Sequence, residues 1–178
     1  MGGEVMLRKA SGQEVFVSSF VFLWIFIVNI VAPMVTSAPT WPMYFVTIFF
    51  FTMDADVKKI SSIFLSGAMG ILLAWILLKA IIIMGPVTGE TAAVAVLLFI
   101  ILGLVIVGGN YCPAVFNNIT FAYLTIATIN IELVEDYAIP WVLMLLIEGG
   151  IILTGARGSI AIAEKFLARP HGERAKEV

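Results

Sequence analysis

Charge is scarce in this 178-residue chain: Asp, Glu, Lys and Arg make up 12% of it, against 61% hydrophobic residues. A typical soluble domain is about a quarter charged and closer to half apolar, so a soluble fold of this length has no means of hiding so much apolar surface. Cysteine and histidine occur once each, as Cys112 and His171. A lone cysteine excludes an internal disulfide and a cysteine-cluster metal site. The histidine falls in a polar tail and is assigned no chemistry, and neither a nucleotide-binding glycine loop nor a zinc-ligand spacing is present. These absences argue against an enzyme and call for no cofactor and no metal. With a net charge of -2 and no basic block outside the two ends of the chain, a nucleic-acid partner is not expected either.

What the chain has instead is apolar runs. A helix needs roughly 20 mostly apolar residues to cross the hydrocarbon core of a bilayer. With that length as the ruler, candidate spans cover 15–35, 40–53, 60–84, 91–108, 113–131 and 139–156, the second of them short. The intervening breaks have turn chemistry: Ser37-Ala38-Pro39-Thr40, Asp54-Ala55-Asp56, Gly85-Pro86 to Glu90, Gly108-Gly109-Asn110 and 132–137. Pro42, Pro113 and Pro140 fall at or next to an expected first helical turn, where the missing N–H has no intrahelical partner to lose. In lipid each backbone polar group must be satisfied internally, which favours helices over open strands. The expected fold is an all-α membrane protein of six transmembrane helices. It forms one domain over 1–178, with the bundle at 15–156 and a basic, amphipathic cytoplasmic tail at 157–178. The tail carries Ile160, Ala163, Phe166 and Leu167 on one side at helical spacing and reads as an extension of the last helix along the interface. The first apolar run is too long for a cleaved signal peptide and shows no small-residue cleavage site before Pro33, so it reads as a retained helix.

Orientation follows from the basic residues. With the N-terminus inside, Arg8, Lys9, Lys58, Lys59, Arg157, Lys165, Arg169, Arg174 and Lys176 all lie on the cytoplasmic side, leaving Lys79 as the exception. Both termini are then cytoplasmic, and Glu132, Glu135 and Asp136 face outward. The halves also echo one another. Phe45, Thr52, Met53, Asp54 and Asp56 align with Phe121, Thr128, Ile129, Asn130 and Glu132, and the small-residue stretch 66–74 aligns with 148–156. A repeat of three crossings runs in opposite directions in its two copies, the inverted symmetry of many transporters. Chance alignment among so few residue types is the competing explanation.

Ionisable and amide side chains within apolar spans face the protein interior and mark candidate sites. Glu148 lies near the middle of the sixth expected span, followed by Gly149 and Gly150, which permit close approach of another helix. Lys79 is within reach of a similar depth in the third. The two form either a charge pair on a solute path, or a snorkelling lysine with a structural glutamate. Asn110, Asn117 and Asn118 precede the fifth span, where side-chain amides and free helix N–H groups suit a small anion or carboxylate, or else bond neighbouring helices. Asn29, a turn before Pro33, is open to the same two readings. Trp24, Trp41, Tyr44, Trp75, Tyr111, Tyr137 and Trp141 read as an interfacial belt. Asp54 and Asp56, ahead of Lys58 and Lys59, read as a solvated turn rather than a metal site.

Three motifs carry a resemblance: Trp41-Pro42-Met43-Tyr44-Phe45, Ser66-Gly67-Ala68-Met69-Gly70 and Tyr111-Cys112-Pro113-Ala114-Val115-Phe116. Through them residues 20–165 resemble the YcdZ-like family of small bacterial inner-membrane proteins. The order of a tryptophan-led helix, a basic turn and a Gly-x-x-Gly helix is also similar to the six-helix membrane half of fusaric-acid-resistance and aromatic-acid exporters. Lys58-Lys59 stands where those exporters have an arginine, and their cytosolic domain has no counterpart here. The resemblance implies a bacterial inner-membrane location and efflux of small organic anions. The expected function is a small transporter or channel for a polar or anionic solute, acting as a homo-oligomer in the lipid bilayer. A non-transporting structural or regulatory subunit is the alternative.

Overall fold

A computed structural model of the chain describes residues 11–168. Arg8, Lys9, Arg169, His171, Arg174 and Lys176 lie outside the described residues, as does the tail beyond 168. The described residues are helical, with no strand among them. In chain order the elements are α1 (Gly12–Val35), α2 (Trp41–Thr52), a single 3₁₀ turn (Val57–Lys59), α3 (Ile60–Thr88), α4 (Glu90–Gly108) and α5 (Asn118–Ile129). There follow α6 (Ile131–Leu143), a π-helical turn (Met144–Glu148) and α7 (Gly149–Ala168). Four stretches are long and apolar enough to cross a membrane: Gly12–Val35, Val57–Thr88, Glu90–Gly108 and Ile131–Leu167. They are compatible with a membrane protein, as are the outward-facing Phe99, Ile106, Ile83 and Met34, each more than two-thirds exposed.

The helix limits depart from the sequence expectation in three places, each for a local reason. The fifth helix begins at Asn118 rather than Pro113. Asn117 is its N-cap: its Oδ1 accepts from Ile119 N at 2.8 Å and Thr120 N at 3.4 Å, which starts the helix there and leaves 112–116 as turns. The expected break at 132–137 is helical, so Pro140 sits well inside α6 and not in its first turn. A proline inside a helix lacks one ladder N–H, and a turn later the ladder widens, with Gly149 N–H reaching Met144 O. The third helix runs through Pro86 and stops at Gly89, whose φ of 84° is a conformation that L side chains rarely adopt. The short second helix is as expected. With 12 residues each, α2 and α5 measure about 18 Å, less than the roughly 30 Å of a hydrocarbon core.

The chain divides into two compact units. The first joins the N-terminal part of α1, through Val31, to α7 from Thr154 onward. A capping box opens α1, Ser11 N donating to Glu14 Oε2 at 2.8 Å and Glu14 N to Ser11 Oγ at 3.1 Å. Within this unit the Phe20 and Phe166 rings lie 6.4 Å apart and Gly155 is pressed against the Trp24 indole, so the two segments run antiparallel.

The second unit, 32–153, holds α2 to α6 and most of the buried residues. Its centre is α3. Ser66, Gly70 and Ala74, one turn apart, present a buried stripe of small residues, the arrangement that lets helix backbones meet where lipid supplies no hydrophobic drive. A Cβ on Gly70 would stand 2.6 Å from Thr120 O and Tyr123 Cβ, so α3 and α5 touch backbone to backbone. Ser66 bonds Ala114 and Asn117, whereas Gly70 meets Thr120, Tyr123 and Leu124, and so α3 and α5 run parallel. Gly67 meets Leu145 and Lys79 meets Glu135, which makes α6 antiparallel to α3. Val46 of α2 packs on Gly149, whereas a Cβ on Gly150, where close approach was also expected, would meet nothing within 4 Å.

Candidate functional site

Two polar places lie within the second unit. The first is the irregular backbone between α4 and α5. Three successive carbonyls there are bound by side chains. Asn117 Nδ2 donates to Pro113 O at 2.8 Å, Ser62 and Ser66 hydroxyls to Ala114 O at 3.0 and 3.1 Å, and Thr120 Oγ1 to Val115 O. Asn117 Nδ2 also reaches Ser66 Oγ at 2.7 Å. Within a bilayer, non-helical backbone of this kind would need such partners. Ser66 lies several turns into the long 57–88 stretch, so α5 starts roughly 13 Å along it from its first residue.

The second place is an aromatic cluster at the start of α2. Trp41, the first residue of α2, makes edge contact with Trp141 of α6 at 5.2 Å between centroids. Tyr123 stands 5.5 Å from Trp41, and Phe45, Phe49 and Tyr137 complete the cluster. The Tyr123 hydroxyl is satisfied, donating to Pro42 O at 2.7 Å. The indole N–H groups of Trp41 and Trp141 are not: both nitrogens are buried and neither has a hydrogen-bond partner. Trp141 is 0% exposed. Buried indole nitrogens usually find an acceptor, so two free donors whose rings belong to one aromatic cluster are chemistry in want of an acceptor. They stand at the N-terminal end of α2, where unsatisfied backbone N–H groups add partial positive charge.

The residues singled out from sequence distribute as follows. Glu148 ends the π turn, and its Oε2 is buried without a hydrogen-bond partner. It does not form the charge pair with Lys79 that is one of the two readings of the sequence. The antiparallel register of α3 and α6 sets Lys79 Nζ opposite Glu135 Oε1, at 2.6 Å, and Glu148 is roughly 20 Å further along the same helical stretch. Asn117 is the N-cap described above; Asn118, next to it, is exposed. Asn110 Nδ2 donates to Val107 O at 3.3 Å, closing the end of α4. Asn29, in the first unit, donates to Ile25 O one turn back in its own helix at 2.8 Å. Asp56 Oδ1 accepts from Lys58 N at 2.9 Å, a turn-forming role. Trp141 is not part of a belt, because α6 begins earlier than its proline suggests and carries position 141 into the core. Cys112 is exposed, and among the described residues no three His, Cys, Asp or Glu side chains converge on a metal position.

Sequence reasoning passed over Ser62, Ser66, Tyr123 and Glu135 as functional positions. A buried hydroxyl in a glycine-rich helix face was the one local signal available, at Ser66. Comparison of the chain with protein-family models, with curated proteins and with solved structures gave no match in any of the three.

Proposed function

We propose that this protein is a small transporter or channel for a small polar or anionic solute. It would work as a homo-oligomer in the bacterial inner membrane, with six crossings and both termini cytoplasmic. The observation that carries this reading is the pair of unpartnered indole donors, Trp41 Nε1 and Trp141 Nε1, at the head of α2. Two N–H donors suit a carboxylate or a small inorganic anion, which accepts hydrogen bonds, and have no lone pair for a cation. The interrupted backbone before α5 supports the same reading. Transporter sites are commonly built from discontinuous helices whose starts lie within the membrane.

Element order supports a 3+3 inverted repeat. A long helix, a 12-residue helix and a long helix occur in α1 to α3 and again in α4 to α6 with its continuation. The parallel α3 and α5, with α6 running against them, are the directions that six alternating crossings require. Lys58 and Lys59 then lie inside and Glu135 outside.

Flux through liposomes reconstituted with the purified full chain tests the proposal, with chloride, nitrate, formate, acetate and benzoate as probes. At least one anion is expected to move faster than through protein-free liposomes, and Trp41→Phe with Trp141→Phe is expected to slow it. Background flux for every probe, together with co-purification of a larger partner, would instead support the structural-subunit reading.

A further inference from the structure

A groove of about 370 Å³ runs along the outer faces of α3 and α6 in the second unit, lined by Leu72 and Trp75 on one side and Ala138, Ile139 and Val142 on the other. It is apolar over two turns of α6, about 12 Å of length, and ends at Glu135. There Lys79 Nζ pairs with Glu135 Oε1 at 2.6 Å and lies 5.6 Å from the Trp75 ring centroid. Both charged side chains remain substantially exposed, 38% and 50%, and Ile139 is 75% exposed.

An ion pair at the surface of an apolar helix pair costs free energy unless its remaining hydrogen-bond capacity is met. The ammonium has donors and the carboxylate has acceptors beyond the single contact between them. Glu135 is one turn into α6, at a helix end, so its charge sits where the apolar stretch gives way to polar residues, whereas Lys79 is flanked on both sides by apolar residues of α3.

We infer that this groove holds a single zwitterionic phospholipid bearing a primary ammonium, a phosphatidylethanolamine. One acyl chain occupies the apolar trough, the phosphate accepts from Lys79, and the head-group ammonium donates to Glu135. The charge pattern favours this occupant over the alternatives. An anionic glycerol head group has no ammonium for the carboxylate, and a choline head group has no N–H to donate. The inference stands apart from the transport reading, since lipid retention is measured with no solute present.

Native mass spectrometry of the detergent-purified full chain tests it, with phosphatidylethanolamine, phosphatidylcholine and phosphatidylglycerol of identical acyl chains added in turn. Phosphatidylethanolamine is expected to be retained about tenfold more tightly than either, the worth of one charge-assisted hydrogen bond. Glu135→Gln should remove its advantage over phosphatidylcholine, and Lys79→Met should weaken all three lipids. Ile139→Trp, which fills the exposed trough and leaves the ion pair in place, should lower retention of phosphatidylethanolamine; it also guards against misfolding of the charge variants. Equal retention of the three lipids, no effect of Ile139→Trp, or a lipid-free dimer closed over this face would overturn the inference.

Discussion

The Tyr123 hydroxyl donates to the Pro42 carbonyl across 2.7 Å of buried interior, tying the middle of α5 to the first turn of α2. Tyr123 also touches Gly67 and Gly70 of α3 and the rings of Trp41, Phe45 and Phe49. One side chain thus joins three helices. Tyr123→Phe keeps the ring and removes the bond, and it should lower stability by about 1 kcal/mol, read as an earlier thermal transition in detergent. A variant as stable as the parent would mean that the hydroxyl contributes nothing there.

Gly70 and Gly103 provide a paired test of the helix packing. A methyl group at Gly70 meets backbone atoms of α5 at 2.6 Å and 2.9 Å, whereas one at Gly103 meets nothing within 4 Å. Gly70→Ala should therefore destabilise by about 1–3 kcal/mol, the usual range for overpacking, and Gly103→Ala should be neutral or slightly stabilising. Equal behaviour of the two variants in a denaturation assay would contradict the backbone contact between α3 and α5.

The existence of the helices was legible in the apolar runs, but their starts were not. Pro113 and Pro140 have the composition of helix openings. Asn117, whose side chain captures the first free N–H groups, overrides the one, and the uninterrupted helix from Ile131 overrides the other. The small-residue stripe 66–70 was visible as a pattern, and its role follows from that pattern. The partner of Lys79 was not visible: the relative register of α3 and α6 is set by packing of Gly67 on Leu145, and no local signal encodes it. Burial of Trp141 was hidden for the same reason, since Trp41, which packs on it, comes from α2.

Glu148 carries a buried, unpartnered oxygen at the end of the π turn. If an anion passes it, an ionised carboxylate opposes passage and a protonated one does not. Nitrate, which does not titrate in the working range, is the suitable probe. Its flux should fall as pH rises through the range where Glu148 ionises, and Glu148→Gln should hold the acid-side rate at every pH. Parallel pH profiles for the two proteins would assign Glu148 to structure alone.

Topology is testable without any solute. A reporter active only in the cytoplasm, fused to either end of the chain, should be active in both fusions, because Lys58, Lys59, Arg157 and Lys165 then share a side. Activity at one end only would rule out an even number of crossings.

The indole pair is the centre of the functional account, and its N–H groups are directly observable. The chain has four tryptophans, Trp24, Trp41, Trp75 and Trp141. Nitrogen-15 labelling of the indoles in lipid nanodiscs therefore gives four signals, assignable by single replacement with phenylalanine. Titration with the anion that moves in the liposome assay should shift the Trp41 and Trp141 indole protons downfield together, as each gains an acceptor, and leave Trp24 and Trp75 in place. An anion that crosses the membrane while the Trp41 and Trp141 signals stay fixed would contradict the account.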